Sequence, residues 1–370
     1  MSLFSPYNLR NLRLPNRIVI APMCTFSGMD GCTTDWHLAH FAQMLQSGVG
    51  MFITEAIAVA PEGRISPACL GLWSDATESA FGETLQRARR LAPPTAVCMQ
   101  LHHAGRKASS QLPWEGGQLL PPEAGGWLPI APSALPAEPE EPNPGEMTHA
   151  DLARIRAAFA DSARRADRVG IDAVELHMAH GYLAHQFLSP LSNRRTDGYG
   201  GSFAGRINFP LELFAAVRAA WPERKPLGVR ISATDWADGG WTVEESIEFV
   251  RELARLGCDW VDVSSAGISP DQKIPVGPGY QVPLARALRK ATGLPTIAVG
   301  LITEPMQAQA IVEAGDADLV ALGRGILWNP HWAWNAAAVL GGRVEAPLPY
   351  HRAPPREAKG VFGPLRQGGR

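Results

Sequence analysis

Two histidines three residues apart, His177 and His180, stand where the apolar run Ala173-Val174-Glu175-Leu176 gives out, and a phenol, Tyr182, follows. Imidazoles can hold a developing negative charge and a phenol can deliver a proton, a combination suited to reducing a polarised double bond. Zinc is the rival role for such a pair, but neither H-E-x-x-H nor a third ligand accompanies it, so no metal is expected. Read alone, Tyr182 fits a structural hydroxyl bonded to backbone as well as a proton donor. Cys24, in Ala21-Pro22-Met23-Cys24, read alone is an inert core thiol, because free cysteines are commonly buried. Arg230 interrupts the apolar run Leu227-Gly228-Val229. A guanidinium there has to be paired or to face an anionic ligand, since burying an unpaired charge is very costly.

These side chains need elements to position them. Short β-branched runs alternate with longer helix-period stretches, the pattern of repeated βα units. Strands are predicted at 17–23, 50–56, 95–102, 173–177, 227–232, 260–265, 296–300 and 319–323. Helices are predicted at 35–47, 76–91, 148–169, 203–221, 243–256, 281–292, 304–314 and 330–340. Thr148 is the expected cap of the third helix, with Leu152, Ile155, Phe159 and Ala163 as its buried stripe. Eight such units make a closed α/β (β/α)8 TIM barrel, one domain over 1–370, the economical reading. A doubly wound sheet binding a dinucleotide would carry G-x-G-x-x-G after its first strand, and the chain has none.

The segment 104–147 is rich in proline and glycine and has no helical period. A loop of that length after the third strand is read as a lid over the carboxyl face, where barrels keep their chemistry; a solvated insertion is the alternative. Polar or small residues recur at the strand ends: Cys24, Glu55 and Ala56, Gln100 with His102 and His103, Ser232, and Ser264 with Ser265. Glycine with arginine at the last two, Gly300 and Gly323-Arg324-Gly325, predicts a phosphate site.

Composition bounds the partners. A net charge of −2 gives no electrostatic footprint for nucleic acid or an anionic membrane surface. No apolar run is long enough to span a bilayer, and the N-terminus lacks a signal-peptide pattern. Cys24, Cys32, Cys69, Cys98 and Cys258 are dispersed without C-x-x-C, which favours reduced thiols and a cytoplasmic location.

In combination, several motifs resemble the Old Yellow Enzyme family of FMN-dependent ene-reductases, in its bacterial NADPH dehydrogenase and xenobiotic reductase branch. They are Ala21-Pro22-Met23-Cys24, Gln100-Leu101-His102-His103-Ala104-Gly105-Arg106, His177-Met178-Ala179-His180-Gly181-Tyr182, Phe187-Leu188-Ser189-Pro190, the run from Asn193 to Ser202, and Leu322-Gly323-Arg324. The resemblance implies tightly bound, non-covalent FMN across the barrel mouth. Ala21, Pro22, Met23, Ala56 and Gln100 would hold the ring and Arg230 its N1/C2 edge, with Val299, Gly300, Gly323 and Arg324 on the phosphate. Cys24 would tune the flavin without covalent chemistry. His177 and His180 would bind the oxygen of an enone or nitro compound, Tyr182 or failing it a water would protonate the α-carbon, and NADPH or NADH would use the same site transiently. Phe26 stands where the branch usually has a tyrosine facing the substrate, which implies an altered substrate preference. The tail 341–370 is similar to one that reaches a neighbouring subunit, with Arg352 as the arginine concerned, so a homodimer or homotetramer is expected.

Two further enzyme readings and a binding module compete. A dienoyl-CoA-reductase relative would add a cysteine cluster for iron–sulfur chemistry, absent here, and an aldolase-type barrel would need a strand-end lysine. A barrel that binds a phosphorylated ligand without turnover would have no use for the histidine–tyrosine set.

Overall fold

Interior residues of a strand recur with period two, so each strand chooses which side chains face the barrel axis. The computed structural model describes residues 1–363. Its parallel strands are β1 Ile18–Ile20, β2 Met51–Ala58, β3 Ala96–His102, β4 Ala173–Met178, β5 Leu227–Ser232, β6 Val261–Ser264, β7 Thr296–Ala298 and β8 Leu319–Leu322. Each is hydrogen-bonded to the next and β8 closes on β1, giving the (β/α)8 barrel the sequence predicts.

Alternation stacks the interior in layers. Cys98, Ala173 and Trp260 join Val19, Met51, Ile53, Ile297 and Leu319 in an apolar plug. Gly228 lies in that layer because a Cβ there would stand 2.1 Å from the Trp260 ring. Two residues further along their strands come Gln100, Glu175, Arg230 and Asp262, and two further again His102, His177, Ser232 and Ser264. A hairpin of Tyr7–Leu9 and Leu12–Leu14, which the sequence reading did not foresee, adds Leu9 and Leu14 to the plug at the amino end.

The outer layer comprises α1 Asp35–Leu45, α2 Asp75–Arg89, α3 His149–Arg168, α4 Leu183–Leu188, α5 Phe203–Ala220, α6 Val243–Arg255, α7 Val282–Thr292, α8 Pro305–Glu313, α9 Arg324–Trp328 and α10 Trp332–Leu340. Thr148 caps α3 by accepting from the Asp151 N–H, and Leu152, Ile155, Phe159 and Ala163 form its buried stripe, as expected. Helices α4 and α9 were not anticipated: at six and five residues they are too short to show a period.

Several predicted strands stop early: β1 ends at Ile20 and β7 at Ala298, before the segments that form the mouth. The segment 104–147 is no structureless loop. It holds turns at Gly105–Lys107, Pro113–Glu115 and Pro122–Ala124, and a short pair of Ile130–Ala131 with Gly145–Glu146. Trp127 pins it by donating its indole N–H to the Glu62 carbonyl at 2.9 Å.

Candidate active site at the barrel mouth

A bulge in β2 decides which of its residues joins the interior layer of Gln100. Ile53 pairs with Cys98 and Ala56 with Gln100, so an extra residue turns Ala56 inward where strict alternation would have turned it out. Glu55, freed by the bulge, accepts from the Thr25 hydroxyl at 2.8 Å and lies 3.5 Å from His37. It thereby fixes the stretch between Cys24 and Phe26, where Phe26 takes a left-handed backbone, φ 49°.

The middle layer is polar and buried. Gln100 Nε2 donates to Glu175 at 2.9 Å and the Trp260 indole donates to the other Glu175 oxygen at 3.2 Å. Asp262 lies 3.2 Å from Arg230 Nε, yet neither of its oxygens makes a well-aligned hydrogen bond. Burial, with Asp262 beside it, pushes the Glu175 carboxyl up, and burial pushes the Asp262 carboxyl up as well, against the opposing charge of Arg230. Arg230 thus has Asp262 on one side and lines the cleft at the mouth on the other.

From Arg230 a cleft of about 210 Å³ runs past Val299 and Gly300 to Gly323 and Arg324. Arg324 is exposed and has no ion pair among the described residues. A guanidinium at each end, with small residues and free backbone between, fits a planar group with an electron-rich edge and a phosphate tail. FMN is such a group.

Above this layer His177 is buried and His180 and Tyr182 half-buried. Nε2 of His177 lies 3.4 Å from Nδ1 of His180, with ring centroids 5.1 Å apart and planes at 88°. His177 Nδ1 accepts from the Ala179 N–H at 3.2 Å, so its ring proton is on Nε2. His180 Nε2 is 2.7 Å from the Ser264 hydroxyl. Burial, reinforced by neighbouring cations and imidazoles, holds both pKa values well below the usual histidine range, so both rings are neutral at pH 7. The Tyr182 ring stands 5.0 Å from that of His177 and 4.5 Å, edge-on, from that of His102. Burial raises the Tyr182 phenol, and burial pushes His102 down to about 3. The Cys24 thiol is pushed well up by burial, with Cys69 and Glu55 adding to the effect, so it carries no thiolate at pH 7.

Not every expected residue is at this mouth. Arg352 is exposed, and the chain just before it lies against Gln46, Leu91 and Pro93 at the carboxyl ends of α1 and α2, on the opposite face. Phe26 is in contact with the lid, its ring 6.2 Å from that of Trp114 at 83°. Lys107 escaped the sequence reading although it follows the quoted Gln100-to-Arg106 motif directly; it donates to the His180 carbonyl at 3.0 Å. Burial and the adjacent Arg106 push its amine down to about 8.

Comparison with known proteins identifies the family. A family model described as NADH:flavin oxidoreductase / NADH oxidase matches residues 2–340. An NADPH dehydrogenase of Geobacillus thermodenitrificans (strain NG80-2) is 46% identical over 352 residues, covering 95% of this chain and 98% of its own length. One from Listeria innocua serovar 6a is 42% identical over 354 residues, covering 95% and 98%. Among solved structures, morphinone reductase in complex with tetrahydroNAD superposes with a TM-score of 0.75 at 26% identity, covering 100% of this chain and 99% of that one. The chain therefore belongs to the NADH:flavin oxidoreductase / NADH oxidase family, the Old Yellow Enzyme family its motifs resemble, and is an FMN- and NAD(P)H-dependent oxidoreductase.

Proposed function

We propose that the protein is an ene-reductase: it reduces the activated C=C bond of α,β-unsaturated carbonyl compounds, with nitro compounds as side substrates. The observation that carries this reading is the pair of neutral imidazole nitrogens 3.4 Å apart at the mouth. That separation is long for a hydrogen bond between them but suits two N–H groups converging on one oxygen. His177 Nε2–H is one donor. His180 Nδ1–H is the other in the tautomer whose Nε2 accepts from the Ser264 hydroxyl at 2.7 Å, which requires that hydroxyl to turn from Gln281 Oε1 to His180. Charge that builds on the substrate oxygen as its β-carbon accepts a hydride is met by two fixed dipoles in a water-poor site.

When bound, FMN supplies that hydride, having taken it from NADPH or NADH. Ala21, Pro22, Met23, Ala56 and Gln100 hold its ring, Arg230 faces the edge where negative charge collects, and Val299, Gly300, Gly323 and Arg324 take the phosphate. Tyr182 keeps its phenolic proton at pH 7 and delivers it to the substrate α-carbon. Cys24 acts as a neutral, weak S–H donor beside the ring. The histidine pair also holds the nicotinamide carboxamide, so both half-reactions share one site and no separate dinucleotide domain is needed. The active assembly is a homo-oligomer in which Arg352 reaches a neighbouring mouth.

The visible spectrum of the purified protein, recorded anaerobically before NADPH, after it, and after cyclohexenone, tests this. Flavin bands that bleach with NADPH and return with the enone are expected. Bleaching without return removes the enone as oxidant, and a colourless protein that cannot take up FMN overturns the reading.

A further inference from the structure

His180 and Gly181 are the central residues of a four-residue turn closed by Tyr182 N–H donating to the Ala179 carbonyl at 3.1 Å. Both have positive φ, 59° and 73°. This is the mirror-image turn geometry, which a histidine adopts only at a cost, so the turn has to be held from outside. At Gly181 only glycine fits, because a Cβ would stand 2.0 Å from the Gly267 carbonyl oxygen.

All four polar backbone atoms of the two residues are held by side chains. His180 N–H donates to Ser232 Oγ at 2.9 Å, and the His180 carbonyl accepts from Lys107. Gly181 N–H donates to His185 Nδ1 at 2.9 Å, and the Gly181 carbonyl accepts from Gln186 Nε2 at 2.7 Å. The last two come from successive residues of α4, the helix that begins just after Tyr182.

His185 is itself oriented. Its Nδ1 is an acceptor, so the ring proton is on Nε2, which donates to Asp235 Oδ1 at 2.8 Å. Asp235 Oδ2 accepts from the Ser189 hydroxyl at 2.6 Å and from the Trp241 N–H at 2.7 Å. Burial opposes the charge on Asp235, but His185, Ser189 and Trp241 outweigh it and hold the carboxyl below its usual range. His185, Ser189 and Asp235 are all fully buried. The Phe187-Leu188-Ser189-Pro190 motif, which the reduction itself does not use, thereby acquires a part.

We infer that His185 is a positioning residue of the reduction site: oriented by Asp235 and Ser189, its imidazole anchors the turn that aims His180 and Tyr182. This rests on the ene-reductase reading of the mouth. His185 touches neither the ring site nor the substrate oxygen, so its loss should misalign the oxygen pocket while leaving FMN in place.

The test compares His185→Leu and His185→Gln with the unaltered protein, all loaded with FMN. FMN content, phenol affinity from flavin absorbance, and kcat and KM for cyclohexenone are measured. Glutamine offers an acceptor and a donor at opposite corners, as the imidazole does; leucine offers neither. The leucine variant is expected to retain FMN at full stoichiometry, lose at least tenfold in phenol affinity and raise KM. The glutamine variant should recover most of that loss. A leucine variant that binds phenol like the unaltered protein, or one that loses FMN in step with phenol, overturns the inference. Should it not fold, Ser189→Ala decides: a several-fold loss of phenol affinity at full FMN content supports the role, and unchanged affinity ends it. Failure of the ene-reductase reading would show separately, as an unaltered protein that binds neither FMN nor phenol.

Discussion

At the scale of single residues, the oxygen pocket depends on the number of donors it can aim. His177→Ala and His180→Ala each remove one neutral donor, worth about 1 kcal/mol, so phenol and enone affinity should fall by roughly fivefold or more in each, with FMN retained. Isothermal titration with phenol checks this, and unchanged affinity in both variants would remove the pair from its role. Phe26 runs the argument in reverse. Its ring sits beside Trp114 of the lid, and Phe26→Tyr would supply the hydroxyl that the resemblance to the bacterial branch implies at this position. Affinity for cyclohexenone should rise by roughly fivefold, read as a lower KM at unchanged FMN content. The principal chemistry was legible in the sequence because catalytic groups in a barrel collect at strand ends, and His177, Arg230 and Gln100 could be placed by counting. What holds them was not. Ser264 and Ser232 were visible as strand-end hydroxyls with no evident task; Lys107 acts on a backbone carbonyl far along the chain, and His185, though it holds an amide only one turn away, is oriented by the distant Asp235, which no local spacing reports.

At the scale of elements, the layered interior follows from period two once the strands are found, yet the bulge that turns Ala56 inward does not. It depends on which residues of β3 lie opposite. The lid shows a similar division. Its proline and glycine content marked it as irregular, while its anchors come from far along the chain. Arg106 donates to the Pro136 carbonyl at 3.0 Å and to the Ile268 carbonyl at 2.6 Å, joining the lid to the loop after β6. Arg195, buried and paired with Asp197, donates to the carbonyls of Pro132 at 3.0 Å and Met147 at 2.6 Å. The Asn193-to-Ser202 motif is therefore a clamp on the end of the lid. Arg195→Met would leave those buried carbonyls without a donor, at about 1–3 kcal/mol each. The cost falls on the lid, so a glutamyl endopeptidase should cut at Glu115 or Glu123 much faster than in the unaltered protein, with FMN still bound. Equal cutting rates would show that the lid is held elsewhere.

At the scale of the whole molecule, the proposed homo-oligomer would give the placement of the tail a role. Arg352 lies on the face opposite its own mouth, so it cannot serve the site of its own barrel. Two large apolar side chains are exposed, Trp328 at the end of α9 at 91% and Leu348 in the tail at 80%. A surface of this kind on α9 and the tail is what an interface between copies would cover. If Arg352 reaches a neighbouring mouth, Arg352→Ala should raise KM for cyclohexenone about tenfold, the worth of one charge-assisted contact, without loss of FMN. That result alone would not show whose site the arginine serves. Mixing subunits does. Each site in an Arg352→Ala oligomer lacks the arginine, and each site in a His177→Ala oligomer lacks the imidazole. In a mixed oligomer, a subunit carrying His177 can receive Arg352 from its neighbour and regain a complete set. Co-expression of the two variants should therefore give more activity than the sum of the two alone. Activity that merely averages, or an unaltered protein that sediments as a monomer at assay concentration, would return Arg352 to the solvent.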